Sequence, residues 1–194
     1  MQPALSENGF VLKRYGRITA GRYRLYGLRH DKPLLFIEEK AEELSPLSTA
    51  HVYEDEEKKR EILALIDCES GGIEQEVVDA ETGKKIGGIG LAVDAAGDFI
   101  KDTWLISDAA GKPVGKVLSK RSNRPVARAT PDAEPPQEMD ISFGGALVGQ
   151  LREKTNVVGY ELALDFSMDV AHLLDRRLGL AVAIFAAFDK TKVE

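Results

Sequence analysis

Short apolar–polar alternations dominate residues 22–165 of the 194-residue chain. Met139-Asp140-Ile141-Ser142-Phe143 alternates cleanly, as does Val158-Gly159-Tyr160-Glu161-Leu162-Ala163-Leu164-Asp165. A two-residue period places one apolar face on a half-buried strand. Thr103-Trp104-Leu105-Ile106 is shorter and rich in β-formers. Turn signals recur about every 8–12 residues, the spacing of a sandwich or barrel. Strands are expected near 10–14, 22–29, 33–39, 49–53, 60–67, 73–79, 84–93, 103–108, 113–120, 124–129, 138–143, 146–154 and 158–165, thirteen candidates in all. Thr130-Pro131-Asp132-Ala133-Glu134-Pro135-Pro136 is expected to be a connecting loop, since proline supplies no donor to a ladder. Glu54–Arg60 is a charge run, expected as a solvated turn.

Two hairpins look like copies. Val78-Asp79-Ala80-Glu81-Thr82-Gly83-Lys84 matches Ser107-Asp108-Ala109-Ala110-Gly111-Lys112. In each an Asp opens the turn and a Gly supplies positive φ. Arg29–Phe36 reads as a degenerate third copy and Ser142–Gly149 as a fourth turn. A meander of hairpins follows.

The pattern changes at the end. Leu178-Gly179-Leu180-Ala181-Val182-Ala183-Ile184-Phe185-Ala186-Ala187-Phe188 is apolar on every side, which places a helix in a core or a membrane. Ser167 or Asp169 is the expected cap. Eleven residues rise roughly 16 Å as helix, against the 30 Å or so of a bilayer core. Strands of about seven residues, tilted near 40°, build a barrel wall of roughly 18 Å. The run therefore matches a barrel axis and is too short to span. Eight strands leave an interior that side chains fill, whereas about eleven enclose a helix. The predicted fold is mainly β: an antiparallel barrel of about twelve strands around a hydrophobic C-terminal helix, one domain over residues 1–194 with 1–20 flexible or partly ordered.

Composition narrows the chemistry. There are 32 acidic and 26 basic residues, a net charge of -6, which argues against a nucleic-acid partner. The single cysteine, Cys68, allows no intramolecular disulfide and reads as a small, half-buried strand residue. The first residues, Met1 to Asn8, carry neither a basic region nor an apolar run, so a cytoplasmic location is expected, peripheral at a membrane if lipid is bound. His30, His51 and His172 form no i, i+4 pair and read as satisfied surface residues. No nucleophile sits in a recognised local motif. Gly83, Gly87, Gly88 and Gly90 lack phosphate-loop spacing and read as strand positions that permit bends or close approach by the helix. No catalytic residue, metal site or cofactor is expected.

Lys116, Lys120, Arg121, Arg124 and Arg128 form the densest basic cluster. They are the candidate binders of lipid headgroups, offering ammonium charges and guanidinium forks. A solvated turn is the plainer reading. Asp165 and Asp169 stand before the terminal helix and are expected to cap and form turns, there being too few acids for a calcium-binding loop.

Leu162-Ala163-Leu164-Asp165-Phe166-Ser167-Met168-Asp169, then Leu174-Asp175-Arg176-Arg177 and the apolar run, resembles the LURP-one-related and phospholipid-scramblase-like group of the Tubby C-terminal-like fold. Phe36-Ile37-Glu38-Glu39-Lys40 and the Asp-x-x-Gly-Lys hairpins are similar too, so the resemblance covers roughly residues 22–190. It implies a twelve-stranded barrel around the helix. It also implies a non-enzymatic binding or regulatory role, with phospholipid, a membrane surface or a protein as partner. Tubby-like domains bind phosphoinositide headgroups through basic residues, and scramblases are linked to calcium and membranes. The chain lacks the palmitoylated cysteine cluster and proline-rich extension of scramblases, so scramblase activity is not expected. The alternative is a small-molecule binder or enzyme using the barrel mouth; a helix that fills the interior leaves no room for a lipocalin-type ligand.

Overall fold

The computed structural model describes residues 5–15, 21–40, 49–68, 74–120, 137–156 and 159–191. Among them are β1 (Gly9–Arg14), β2 (Arg22–Gly27), β3 (Leu35–Lys40), β4 (Thr49–Tyr53), β5 (Glu61–Asp67), β6 (Glu74–Asp79), β7 (Lys84–Val93), β8 (Phe99–Asp108), β9 (Pro113–Lys120), β10 (Glu138–Phe143), β11 (Ala146–Asn156), β12 (Gly159–Asp165) and α1 (Arg176–Thr191). Each strand pairs antiparallel with the next, and β1 closes the ring on β12 with Leu12 opposite Leu162. Closure removes the edges that an open sheet leaves unpaired. The expected strand at 124–129 and the proline loop at 130–136 lie outside the described residues. β9 pairs directly with β10, Val117 opposite Ile141, so the barrel closes from these two strands.

The two-residue period sets the layers. Tyr23 and Leu25 of β2, Leu35 and Ile37 of β3, Met139 and Ile141 of β10, and Leu162 and Leu164 of β12 are all buried. Their neighbours along each strand face outward.

Asp79 Oδ1 accepts from Thr82 N at 2.9 Å and Gly83 has φ +67°. Asp108 Oδ1 accepts from Ala110 N at 2.9 Å and Lys112 N at 3.0 Å, with Gly111 at φ +81°. A further copy, Asp94-Ala95-Ala96-Gly97-Asp98, repeats this at the β7–β8 turn: Ala96 N and Asp98 N donate to Asp94 Oδ1 at 2.8 and 3.0 Å, and Gly97 has φ +88°. Arg29–Phe36 instead joins a longer β2–β3 connection, through Leu34, to the first residues of β3; it has no positive-φ glycine, and Leu34 N donates to Leu25 O at 2.7 Å.

Every residue from Leu178 to Phe188 is buried. Phe188 packs 5.7 Å from the Tyr23 ring and Phe185 meets Trp104 edge-on at 5.2 Å. Barrel side chains thus surround α1. A Cβ on Gly179 would stand 2.5 Å from Phe166 Cζ, so glycine lets that ring lie on the first turn. Gly87 gives α1 the close approach expected of the glycine-rich strand: a Cβ there would meet Leu178 Cδ2 at 3.0 Å. Gly83 belongs to the turn before β7 and not to the strand.

The helix cap differs from expectation. Asp175, directly before α1, accepts from Arg177 N at 2.9 Å through Oδ1. Ser167 and Asp169 lie in a separate turned segment between β12 and α1, too far ahead to reach the free amides of the first helical turn.

Candidate binding site at the barrel mouth

Antiparallel order sends the start of β1, the end of β12 and the start of α1 to one end of the barrel, here called the mouth. The segment Phe166–Asp175 crosses it. Asp165 Oδ1 accepts from Ser167 N at 2.9 Å, forming the turn out of β12. Asp169 then turns inward and is fully enclosed: Leu173 N donates to Oδ1 at 2.8 Å, Leu174 N to Oδ2 at 3.2 Å, and Arg176 Nη1 to Oδ2 at 2.7 Å. The Arg176 side chain is only 2% exposed. Its Nη2 donates to Asn8 Oδ1 at 3.3 Å, and its guanidinium sits 4.7 Å from the Phe166 ring centre. One ion pair therefore ties the N-terminal segment, the crossing segment and the helix together.

Beside this pair a crevice of about 720 Å3 opens over the start of α1. Leu5, Ile62, Leu63 and Leu174 give it an apolar floor. Two arginine-centred clusters form its walls. Arg60 Nη1 lies 3.1 Å from both Glu54 oxygens, and Nη2 lies 3.4 Å from both oxygens of Glu81. Arg177 donates to Asp79 and to Asp175, each at 2.6 Å.

These contacts set the protonation states. The Thr82 amide, opposed by burial and aided by Arg177, holds Asp79 below the ordinary carboxylate range. Burial pushes Asp175 up, but the Arg177 hydrogen bonds outweigh it and the net shift is down. Burial likewise opposes ionisation of Asp169, and the Leu173, Leu174 and Arg176 donors overcome it. Carboxylates held this low are weak bases and stay ionised near neutral pH, which suits anchoring charge better than passing protons. His172 Nδ1 lies 3.4 Å from Arg176 Nη2, His30 Nε2 is 2.6 Å from Glu7, and His51 Nδ1 is 2.7 Å from Glu61. Among the described residues no group of three His, Cys, Asp or Glu side chains could hold a metal ion.

The mouth also carries exposed apolar side chains. Val170 is 85% exposed and Leu28, at the end of β2, 62%; Leu147, Met168 and Leu173 are exposed at the same end. Arg29 and Lys32 are exposed beside Leu28.

Of the basic cluster read from the sequence, Lys116 and Lys120 stand on the outer face of β9. Lys120 Nζ pairs with Asp140 at 2.5 Å. Arg121, Arg124 and Arg128 lie outside the described residues. Cys68 is half-buried just past β5 and donates to Glu74 O at 2.9 Å. Arg60 and Arg177 stand far apart in the chain and meet only at this crevice. Glu54 and Arg60 belong to the β4–β5 turn, Asp79 and Glu81 to the β6–β7 turn, and Asp175 and Arg177 to the start of α1; the local sign in the sequence is the charge density of Glu54–Arg60 and Asp175–Arg177. Among the described residues no helix is long and apolar enough to cross a membrane. Set against models of known protein families and against curated proteins, the chain matches none.

Proposed function

We propose that this protein is a non-enzymatic module that docks on a phospholipid surface through the barrel mouth. The observation that carries this reading is the apolar rim: among the described residues Leu28, Met168, Val170 and Leu173 face solvent together at the mouth, a larger group than Val93, Phe99 and Ile100 at the β7–β8 turn of the other end. A cluster of exposed apolar groups on a water-soluble surface marks a contact site. Arg29 and Lys32 beside it add attraction to anionic headgroups. Because α1 fills the interior, binding takes place outside the barrel. The likeness of the terminal motifs to the LURP-one-related and scramblase-like group supports the same role.

Co-sedimentation with phosphatidylserine-containing vesicles tests this. The unmodified chain pellets with the vesicles, and Leu28→Asp with Val170→Asp removes most of that binding. Loss on Lys116→Glu with Lys120→Glu instead would move the contact to the β9 wall. A chain that stays in the supernatant sinks the proposal. A second reading, a small ligand in the mouth, is favoured by the crevice, whose volume lies within the usual range for small-molecule sites. It predicts a saturable ligand that protects Arg60 and Arg177 from modification.

A further inference from the structure

The outer wall of β1 to β4 departs from the polar exterior expected of a barrel. Register puts Phe36 opposite both Arg24 and Tyr53, and Glu38 opposite both Arg22 and His51. Tyr15 follows β1 and donates its backbone N–H to Arg22 O at 2.9 Å. Three rings, Tyr15, Phe36 and Tyr53, thereby line one cavity of about 170 Å3, with Arg22, Glu38, Glu56 and Lys58 at its sides. The hollow is open on one side and admits a small methylated ammonium group.

The wall already holds a cation by its rings. The Arg24 guanidinium lies 4.0 Å from the Tyr15 ring centre and 5.8 Å from that of Phe36. Aromatic faces attract weakly hydrated cations, and quaternary ammonium groups are held this way in aromatic cages.

The charges are balanced and of both signs. Glu38 is shared between Lys58 at 2.5 Å and Arg22 at 3.5 Å, and Glu56 accepts from Arg24 at 2.8 Å. Arg22 and Lys58 remain 49% and 42% exposed, so they can also take an anion from outside. Lys58 has φ +60°, a left-handed conformation that L side chains disfavour. Backbone strain of this kind clusters at binding positions, and here it belongs to the loop whose lysine reaches back over the wall.

We propose that this pocket binds a small zwitterion joining a methylated ammonium to a phosphate, phosphocholine being the simplest. The ammonium takes the place of the partly exposed Arg24 guanidinium against Tyr15 and Phe36, with Tyr53 beside it and the Glu56 carboxylate as its counter-charge. The phosphate meets Arg22 and Lys58 at the open side. The pocket shares no lining residue with the mouth crevice, although the β4–β5 turn contributes to both, and neither reading depends on the other.

Calorimetric titration of the full chain with phosphocholine, choline and inorganic phosphate tests it. Phosphocholine binds saturably and at least tenfold more tightly than either fragment. Phe36→Ala and Lys58→Ala each weaken it at least tenfold while thermal melting shows the fold retained. If Phe36→Ala unfolds the chain, Glu56→Gln serves in its place. Val170→Asp leaves the titration unchanged, which separates this site from vesicle docking. Competition by phosphatidylcholine vesicles assigns the headgroup to lipid, and its absence assigns it to a soluble compound. No heat with phosphocholine at millimolar concentration, or equal affinity for phosphate alone with no effect of Phe36→Ala, overturns the proposal.

Discussion

Two adjacent arginines show what a single residue can and cannot reveal. Arg176 and Arg177 are neighbours in the chain, and on a helix successive side chains point about 100° apart. One is therefore buried against Asp169, and the other reaches Asp79 and Asp175 at the crevice. Which goes where depends on where the barrel wall stands, and local sequence does not say. Asp169 shows the reverse. Its turn-forming role was readable from residue type, and its backbone contacts match. Its partner, seven residues on, was not readable. Removing one member of a buried pair leaves an uncompensated charge and costs about 3–5 kcal/mol. Asp169→Ala should lower stability by that amount in urea denaturation. A change under about 1 kcal/mol would mean that water reaches Arg176 and the pair does not hold the segment.

At the scale of elements, the terminal helix was the most legible feature. An apolar run with no solvent face has few places to go, and its length excluded a membrane span. Its ends were less legible. The structure extends it to Arg176 and Thr191, because the polar turns at either end carry no periodic apolar signal. The hairpins were legible through chemistry: Asp side chains that accept from backbone amides two or more residues on, with glycine where φ turns positive. Asp94–Asp98 is the less legible copy because Asp98 stands where the other turns have lysine, although the turn itself needs only the Asp and the Gly. Deleting residues 175–194 tests the helix. Leu178, Leu180, Val182, Ile184, Phe185 and Phe188 are all buried, each contributing about 1.5–3 kcal/mol. Their loss is comparable to or larger than the 5–15 kcal/mol that holds a typical domain together. The truncated chain should show no cooperative melting transition; a soluble, folded product would remove the helix from the core.

At the scale of the whole molecule, acid should act through several carboxylates together. The Lys58 hydrogen bond holds Glu38 below its ordinary range, and Asp79, Asp169 and Asp175 are also held low. A folded-state pKa below the unfolded one gives stability that is fully present above the unfolded value and is lost as pH falls through the folded value. Urea midpoints should stay level from pH 7 to about 5 and fall below about pH 4; an unchanged midpoint at pH 3 would show that these pairs do not stabilise the fold. The sequence by itself determined the strands, the turns and the wholly apolar helix, because periodicity, turn chemistry and hydrophobicity act over a few residues. Matching helix length to wall height then made a filled barrel the consistent arrangement. Only the tertiary structure decided which charges meet. The Arg60 and Arg177 clusters, the Asp169–Arg176 pair and the aromatic wall of Tyr15, Phe36 and Tyr53 join residues from separate strands and loops. Strand register and barrel closure bring such groups together, and the short-range rules that shape each element carry no record of them.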